Sequence, residues 1–370
     1  MPRSALIIPA LALAVSCNAA EEGRHPPPLP AAARSATASK TRGMNFAHSM
    51  GSGKGYGSAP SLDSLRRLQA LHVNAVAVTP FGFQRQADDT DILWTGSPGR
   101  HGGHGIGETD EAMRGVIAQA HGLGMRVLLK PHLWLRPPEW PGSIHHESDA
   151  DWAAWFTAYR GFILHYAAMA ESTHAEMLCI GNELTIASKR ERQWRNLIAD
   201  IRKVYRGRLT YGANLEEVFD VPFWDALDAI GLSAYFPLSE EASPSRQTIE
   251  RGWQPIAARL GDLSRRWKRP VLITELGYAS RDYATEKPWE ESGEHVNVRL
   301  QADAFAAFFR TVWTQPWLEG SYLWKWESYP DHADANGMEY AIEHKPAEAV
   351  IRDAYAAAQA AESGSRQGKR

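Results

Sequence analysis

Two short stretches place carboxylates where an apolar run ends. "EMLCIGNELT" (176–185) carries Met177, Leu178, Cys179 and Ile180, then Asn182 and Glu183; "RPVLITELGY" (269–278) repeats the pattern with Glu275. A charged group at that position is costly without a partner or a task. Two convergent carboxyl groups suit cleavage of a glycosidic bond: one donates a proton to the leaving oxygen and the other, ionised, faces the anomeric carbon. A spacing of roughly 5–5.5 Å gives a covalent, retaining route, whereas roughly 6.5–9.5 Å admits a water and inverts. Like charges held close also disfavour double ionisation, so one acid survives near neutral pH. A strand-ending Glu can equally cap a helix or pair with Arg. Glu139, Glu216, Glu217, Asp220 and Glu327 compete for the role, but none follows so cleanly apolar a run.

The elements that position this pair alternate along the chain. Eight apolar, β-type runs occur at 42–48, 74–83, 126–134, 176–184, 209–215, 229–236, 270–278 and 320–327, with segments of helical period between them. The interval after "LTYGANL" offers only a short helix. Eight such units match a single α/β (β/α)8 TIM barrel better than an open doubly wound sheet. Loop lengths agree: helix-to-strand turns are short and several strand-to-helix loops are long, as expected where the C-terminal face carries the site. Glu183 ends the fourth run and Glu275 the seventh, so both are expected at one barrel mouth.

Lys130 and His132 leave the third run inside "LLKPHLW" and are expected to hydrogen-bond sugar hydroxyls there, with backbone-satisfied core positions as the alternative. Asn214, ending the fifth run, is a weaker candidate of the same kind. Trp134 fits a sugar platform or a packed loop residue equally well. Trp152, Trp155, Trp194, Trp253 and Trp267 lie in helical segments and are expected to pack on the barrel. "HGGHG" (101–105) and His145–His146 lack the spacing of a zinc-protease site, so no metal is expected. "GSGKGYG" fails the phosphate-loop pattern, with His48 where Gly is needed and Gly55 where Ser or Thr is needed.

The phrases "KPHLW", "IGNEL", "LTYGANL", "FWDALDAIGLSAYFPL", "PVLITELGY" and "YLWKWE" together resemble glycoside hydrolase family 113, the β-mannanases, within the clan GH-A of retaining (β/α)8 glycosidases. The likeness runs from about residue 42 to residue 330. The resemblance implies Glu183 as acid/base and Glu275 as nucleophile. It also implies Asn182 on the sugar 2-hydroxyl, Tyr235 holding the nucleophile, and Trp324 or Trp326 as the floor under the reacting sugar. Family members often carry Thr where Asn182 stands, although Asn is the commoner residue in the clan. The expected activity is retaining hydrolysis of β-1,4-mannan or manno-oligosaccharides without a cofactor. The alternatives are a retaining β-glycanase acting on another polysaccharide, or an inactive carbohydrate-binding lipoprotein.

Composition supports a folded chain and excludes other classes. Of 370 residues, 44% are hydrophobic, enough for a large core. A net charge of −3 with no long basic run argues against nucleic acid. Residues 1–17 read as an export signal, and "AVSC" resembles a lipobox that would lipidate Cys17 and hold the protein at the bacterial cell envelope. Without lipidation the protein would be periplasmic or secreted. Residues 18–41 read as a flexible tether, 42–360 as the catalytic barrel and 361–370 as a disordered tail. The only other cysteine, Cys179, sits in the fourth apolar run, so no structural disulfide is expected.

Overall fold

Residues 39–49, 53–95, 109–329 and 337–367 are described by the structure, a computed structural model. The expected signal, Cys17 and the "HGGHG" segment lie outside them. Eight parallel strands close into a barrel: β1 (Thr41–Ala47), β2 (Ala75–Val78), β4 (Arg126–Leu129), β6 (Met177–Asn182), β7 (Arg208–Ala213), β8 (Ile230–Ser233), β9 (Val271–Leu276) and β10 (Leu318–Glu327). β10 returns to pair with β1, which closes the ring. Helices α1 (Ala59–Ala70), α2 (Asp110–Gly122), α3 (Asp149–Thr173), α4 (Glu191–Val204), α5 (Glu217–Asp220), α6 (Arg246–Trp267), α7 (Val298–Thr311) and α8 (Pro346–Gln367) fall between or after the strands. Ser58, Thr109, Ser148, Ser245 and Asn297 cap their helices by accepting the backbone N–H three residues on.

Two runs behave differently from the one-strand expectation. The second and third each break at a proline, Pro80 and Pro131. Beyond it a further strand forms, β3 (Phe81–Gln84) and β5 (His132–Leu135), and these two pair in parallel outside the barrel. Proline donates no ladder hydrogen bond and restricts the residue before it, so the strand cannot run through. The tail reading is corrected for residues 361–367 alone. α8 continues to Gln367, and the Glu362 carboxylate accepts from the Lys40 backbone N–H at 3.0 Å and from Arg42 at 2.8 Å.

Two apolar layers follow from strand alternation. Small and medium residues such as Ala75, Ala77, Leu128, Met177, Cys179 and Leu272 fill the barrel interior. The larger core lies between strands and helices, and Trp152, Trp155, Trp194 and Trp253 are buried in it, with Trp267 half-buried against it.

Candidate active site

The alternation that fills the barrel would not by itself aim Glu275 and Asn182 at the mouth. Along β9, Val271 and Ile273 face the helices and Leu272 faces inward, so Glu275 should face outward. The pairing with β8 slips at this point: Leu232 opposes Ile273, but Ser233 opposes Glu275. The extra residue re-aims Glu275 inward, the usual effect of a bulge beside a site. β6 slips against β7 between Cys179 and Asn182. Gly181 turns toward the helices, where a Cβ would meet Tyr211 at 2.8 Å and Trp194 at 2.9 Å, so only glycine fits. Asn182 then turns inward, into space kept by Gly212, whose Cβ would lie 2.4 Å from Asn182 Oδ1.

Glu275 is buried and surrounded by donors. The Lys130 ammonium bonds Oε1, Asn182 Nδ2 lies 3.4 Å from the same oxygen, and Tyr235 OH donates to Oε2 at 3.0 Å. Burial pushes this carboxyl up, but Lys130 and the hydrogen bonds outweigh it, and Glu275 is held below its ordinary value. His132 Nε2 stands 3.5 Å from Oε1. Its own pKa is pushed down to about 3 by burial and by Lys130, so the imidazole is neutral in ordinary buffer.

Glu183 has the opposite environment. Burial and the Glu275 charge raise it from 4.5 to about 8, so it keeps its proton at neutral pH. Its backbone is left-handed, with φ 54°, a conformation that costs an L residue about 1–2 kcal/mol. The turn is fixed from beneath. Glu183 N–H donates to the Gly212 carbonyl at 2.7 Å, and Leu184 N–H donates to Tyr211 OH at 2.9 Å. Tyr211 OH in turn donates to Glu217 at 2.5 Å, and Glu217 also accepts from the Asn214 N–H and the Thr185 hydroxyl. Sequence reasoning set Glu217 aside as a competing carboxylate. It is a buried support for the Glu183 turn, and its only sequence signal was its place just after the fifth strand.

The remaining expected residues divide. Lys130, expected on sugar hydroxyls, is fully buried, with its ammonium on Glu275 and 3.4 Å from the Thr274 carbonyl. Trp324 is half-buried at the mouth and stacks on His132 at 6.4 Å with a 12° interplanar angle. Trp326 is 1% exposed: its Nε1 donates to Ser64 of α1 at 2.8 Å and its ring lies under the Arg67 guanidinium. Of the two, only Trp324 lies at the mouth, because Trp326 faces the helix layer. Asn214 follows β7, and its Oδ1 accepts from Leu215 N–H, which ties that oxygen to the loop. Three of the other competing carboxylates are engaged elsewhere. Glu216 pairs with Arg259, Glu139 accepts from Ala87 N–H, and Glu327 pairs with Lys325. Among the described residues no group of three His, Cys, Asp or Glu could hold a metal.

One carboxyl kept charged and its neighbour kept protonated, at the C-terminal mouth of a closed eightfold barrel, is what acid-assisted cleavage of a glycosidic bond requires. The class is that of barrel glycoside hydrolases. Within it the chain belongs to Glycoside Hydrolase Family 113, whose sequence model matches residues 44–345. It is similar to the β-mannanase AaManA from Alicyclobacillus acidocaldarius, solved with ManMIm, at 31% identity and a TM-score of 0.76, over 87% of this chain and 98% of that one. A β-1,4-mannanase of the same family, solved as a complex, is 29% identical with a TM-score of 0.75, over 86% and 99% of the two chains. No curated protein matches.

Proposed function

We propose that this glycoside hydrolase cleaves β-1,4-mannan or manno-oligosaccharides by a retaining double displacement. The carrying observation is the opposed protonation of the two carboxyls, Glu275 lowered and Glu183 raised to about 8. The Glu275 carboxylate attacks the anomeric carbon while the glycosidic C–O bond breaks and Glu183 gives its proton to the departing oxygen. Water then attacks the glycosyl ester; Glu183, now a carboxylate, takes a proton from it and Glu275 is released. Asn182 and His132 meet hydroxyls of the reacting sugar, and Trp324 lies under its ring. Tyr235 and Lys130 hold the nucleophile. The names of the family's solved members support mannan as the polymer.

The test is hydrolysis of mannohexaose by the parent, Glu183→Gln and Glu275→Gln, with the anomeric form of the first product read by NMR. Cleavage with retention, and a loss of at least ~10³-fold in both variants, is expected when an essential acid or nucleophile is removed. Inverted product overturns the double displacement. Cleavage of a β-glucan panel in place of mannan overturns the substrate and keeps the pair. A place at the cell envelope through lipidated Cys17 rests on the sequence of residues 1–17. Its test is whether Cys17→Ser moves the protein from the membrane to the soluble fraction.

A further inference from the structure

The β3–β5 pair stands beyond the barrel, and its two faces differ. One face is closed. Leu133 and Leu135 are buried, a Cβ at Gly82 would meet Phe162 of α3 at 2.8 Å, and Trp155 of α3 donates to Gln84 at 2.9 Å. The other face is aromatic and opens at Trp134. Phe81 opposes His132 and Phe83 opposes Trp134 in the ladder, and each pair meets edge to face, at 5.4 and 5.7 Å. His132 begins this face 3.5 Å from Glu275 and beside Trp324. Two residues along the same strand face, about 6.6 Å further from the carboxylate, Trp134 is 44% exposed. That step is close to the length of one pyranose unit.

We infer that the β3–β5 ribbon is a sugar-binding platform continuous with the active site, on which Trp134, braced by Phe83, stacks the pyranose one unit removed from the sugar over Trp324. The inference rests on the glycosidase reading and adds a binding position to it. An indole with an apolar face suits the C–H face of a pyranose. Fixing the ribbon on α3 means that little order is lost when the chain binds. The occupant is the same linear β-linked chain that enters the cleft, because the face begins at the catalytic carboxylate and not at a separate groove.

The experiment compares kcat/KM on a length series from disaccharide to hexasaccharide for the parent, Trp134→Ala and Trp134→Phe. For Trp134→Ala the ratio of hexasaccharide to disaccharide kcat/KM should fall about tenfold, the scale of one aromatic contact, and Trp134→Phe should restore most of it. An equal loss at every length, or an unchanged ratio, overturns the platform while the glycosidase reading stands. The series is run on mannan and glucan oligomers, so a wrong polymer does not spoil the ratio. If the parent cleaves neither polymer the glycosidase reading fails, and calorimetric titration with both hexasaccharides decides the platform. Binding by the parent that is lost in Trp134→Ala supports it, and absence of binding overturns it.

Discussion

Replacing Lys130 by Met removes the cation that keeps Glu275 charged. Lys130 is fully buried, and its ammonium is shared between Glu275 Oε1 and the Thr274 carbonyl, so solvent cannot stand in for it. Tyr235 at 3.0 Å and Asn182 at 3.4 Å remain as donors, but both are neutral. Burial, the largest influence on Glu275, is then no longer outweighed. A hydrogen bond to a charged group is worth about 1.5–3 kcal/mol, and one pKa unit about 1.4 kcal/mol. Without Lys130, Glu275 should therefore rise. The nucleophile must be ionised to attack, so the acid limb of kcat/KM against pH moves up by the same amount. An activated aryl β-mannoside isolates the effect, because its leaving group needs no proton and Glu183 drops out of the first step. At pH below both acid limbs the variant should lose about 10- to 100-fold, the scale of that charged bond, recovering toward neutral pH, with circular dichroism confirming that it is folded. A uniform loss with an unmoved acid limb would show that Lys130 does not set the charge of Glu275.

Tyr211→Phe takes the acceptor from Leu184 N–H and the donor from Glu217, loosening the Glu183 turn. The expected loss is about tenfold or more in kcat, larger for oligosaccharides than for activated aryl glycosides, and equal losses on both would refute a role through the acid. Glu183 titrates at about 8 when folded, above its ordinary 4.5. The folded chain thus holds a proton that the unfolded chain releases across that window, and this contribution to stability is full below the ordinary range and declines as pH rises to about 8. Glu183→Gln abolishes that decline, so by calorimetry its Tm advantage over the parent should widen from pH 5 to pH 8; a constant gap counts against it. Trp326→Ala should cost about 3–5 kcal/mol in urea denaturation, whereas Trp324→Ala should act on kcat/KM, and the reverse pattern would return Trp326 to the cleft.

The barrel was legible because each strand repeats one physical requirement, an apolar run with a helical segment after it, and eight repeats leave few other folds. The carboxylates were legible because they interrupt such runs. Finer features depended on pairing that one strand does not reveal. Period-two alternation assigns Glu275 to the wrong face, and only the slip against β8 re-aims it. Trp324 and Trp326 lie two apart and should share a face, yet one stacks on His132 and the other donates to Ser64. The proline breaks were visible as Pro80 and Pro131, but that the pieces beyond them would pair into β3 and β5 was not. Lys130 and Glu217 were seen as polar residues near the rim. The partners of Lys130 come from β9 and those of Glu217 from β7, its loop and the turn after β6, and hydrogen-bond geometry had to choose between sugar and protein for each.

The bond between Lys40 and Glu362 means that the barrel's first and last segments already touch, on the side where β1 starts and opposite the ends of β6 and β9. Topologically the domain is nearly a closed loop of chain. Joining those positions by a short linker and reopening one of the brief helix-to-strand turns should give a circular permutant with the same barrel. Fusion partners or a solid support attached near either position would sit behind the enzyme, leaving a long polymer free to thread the mouth.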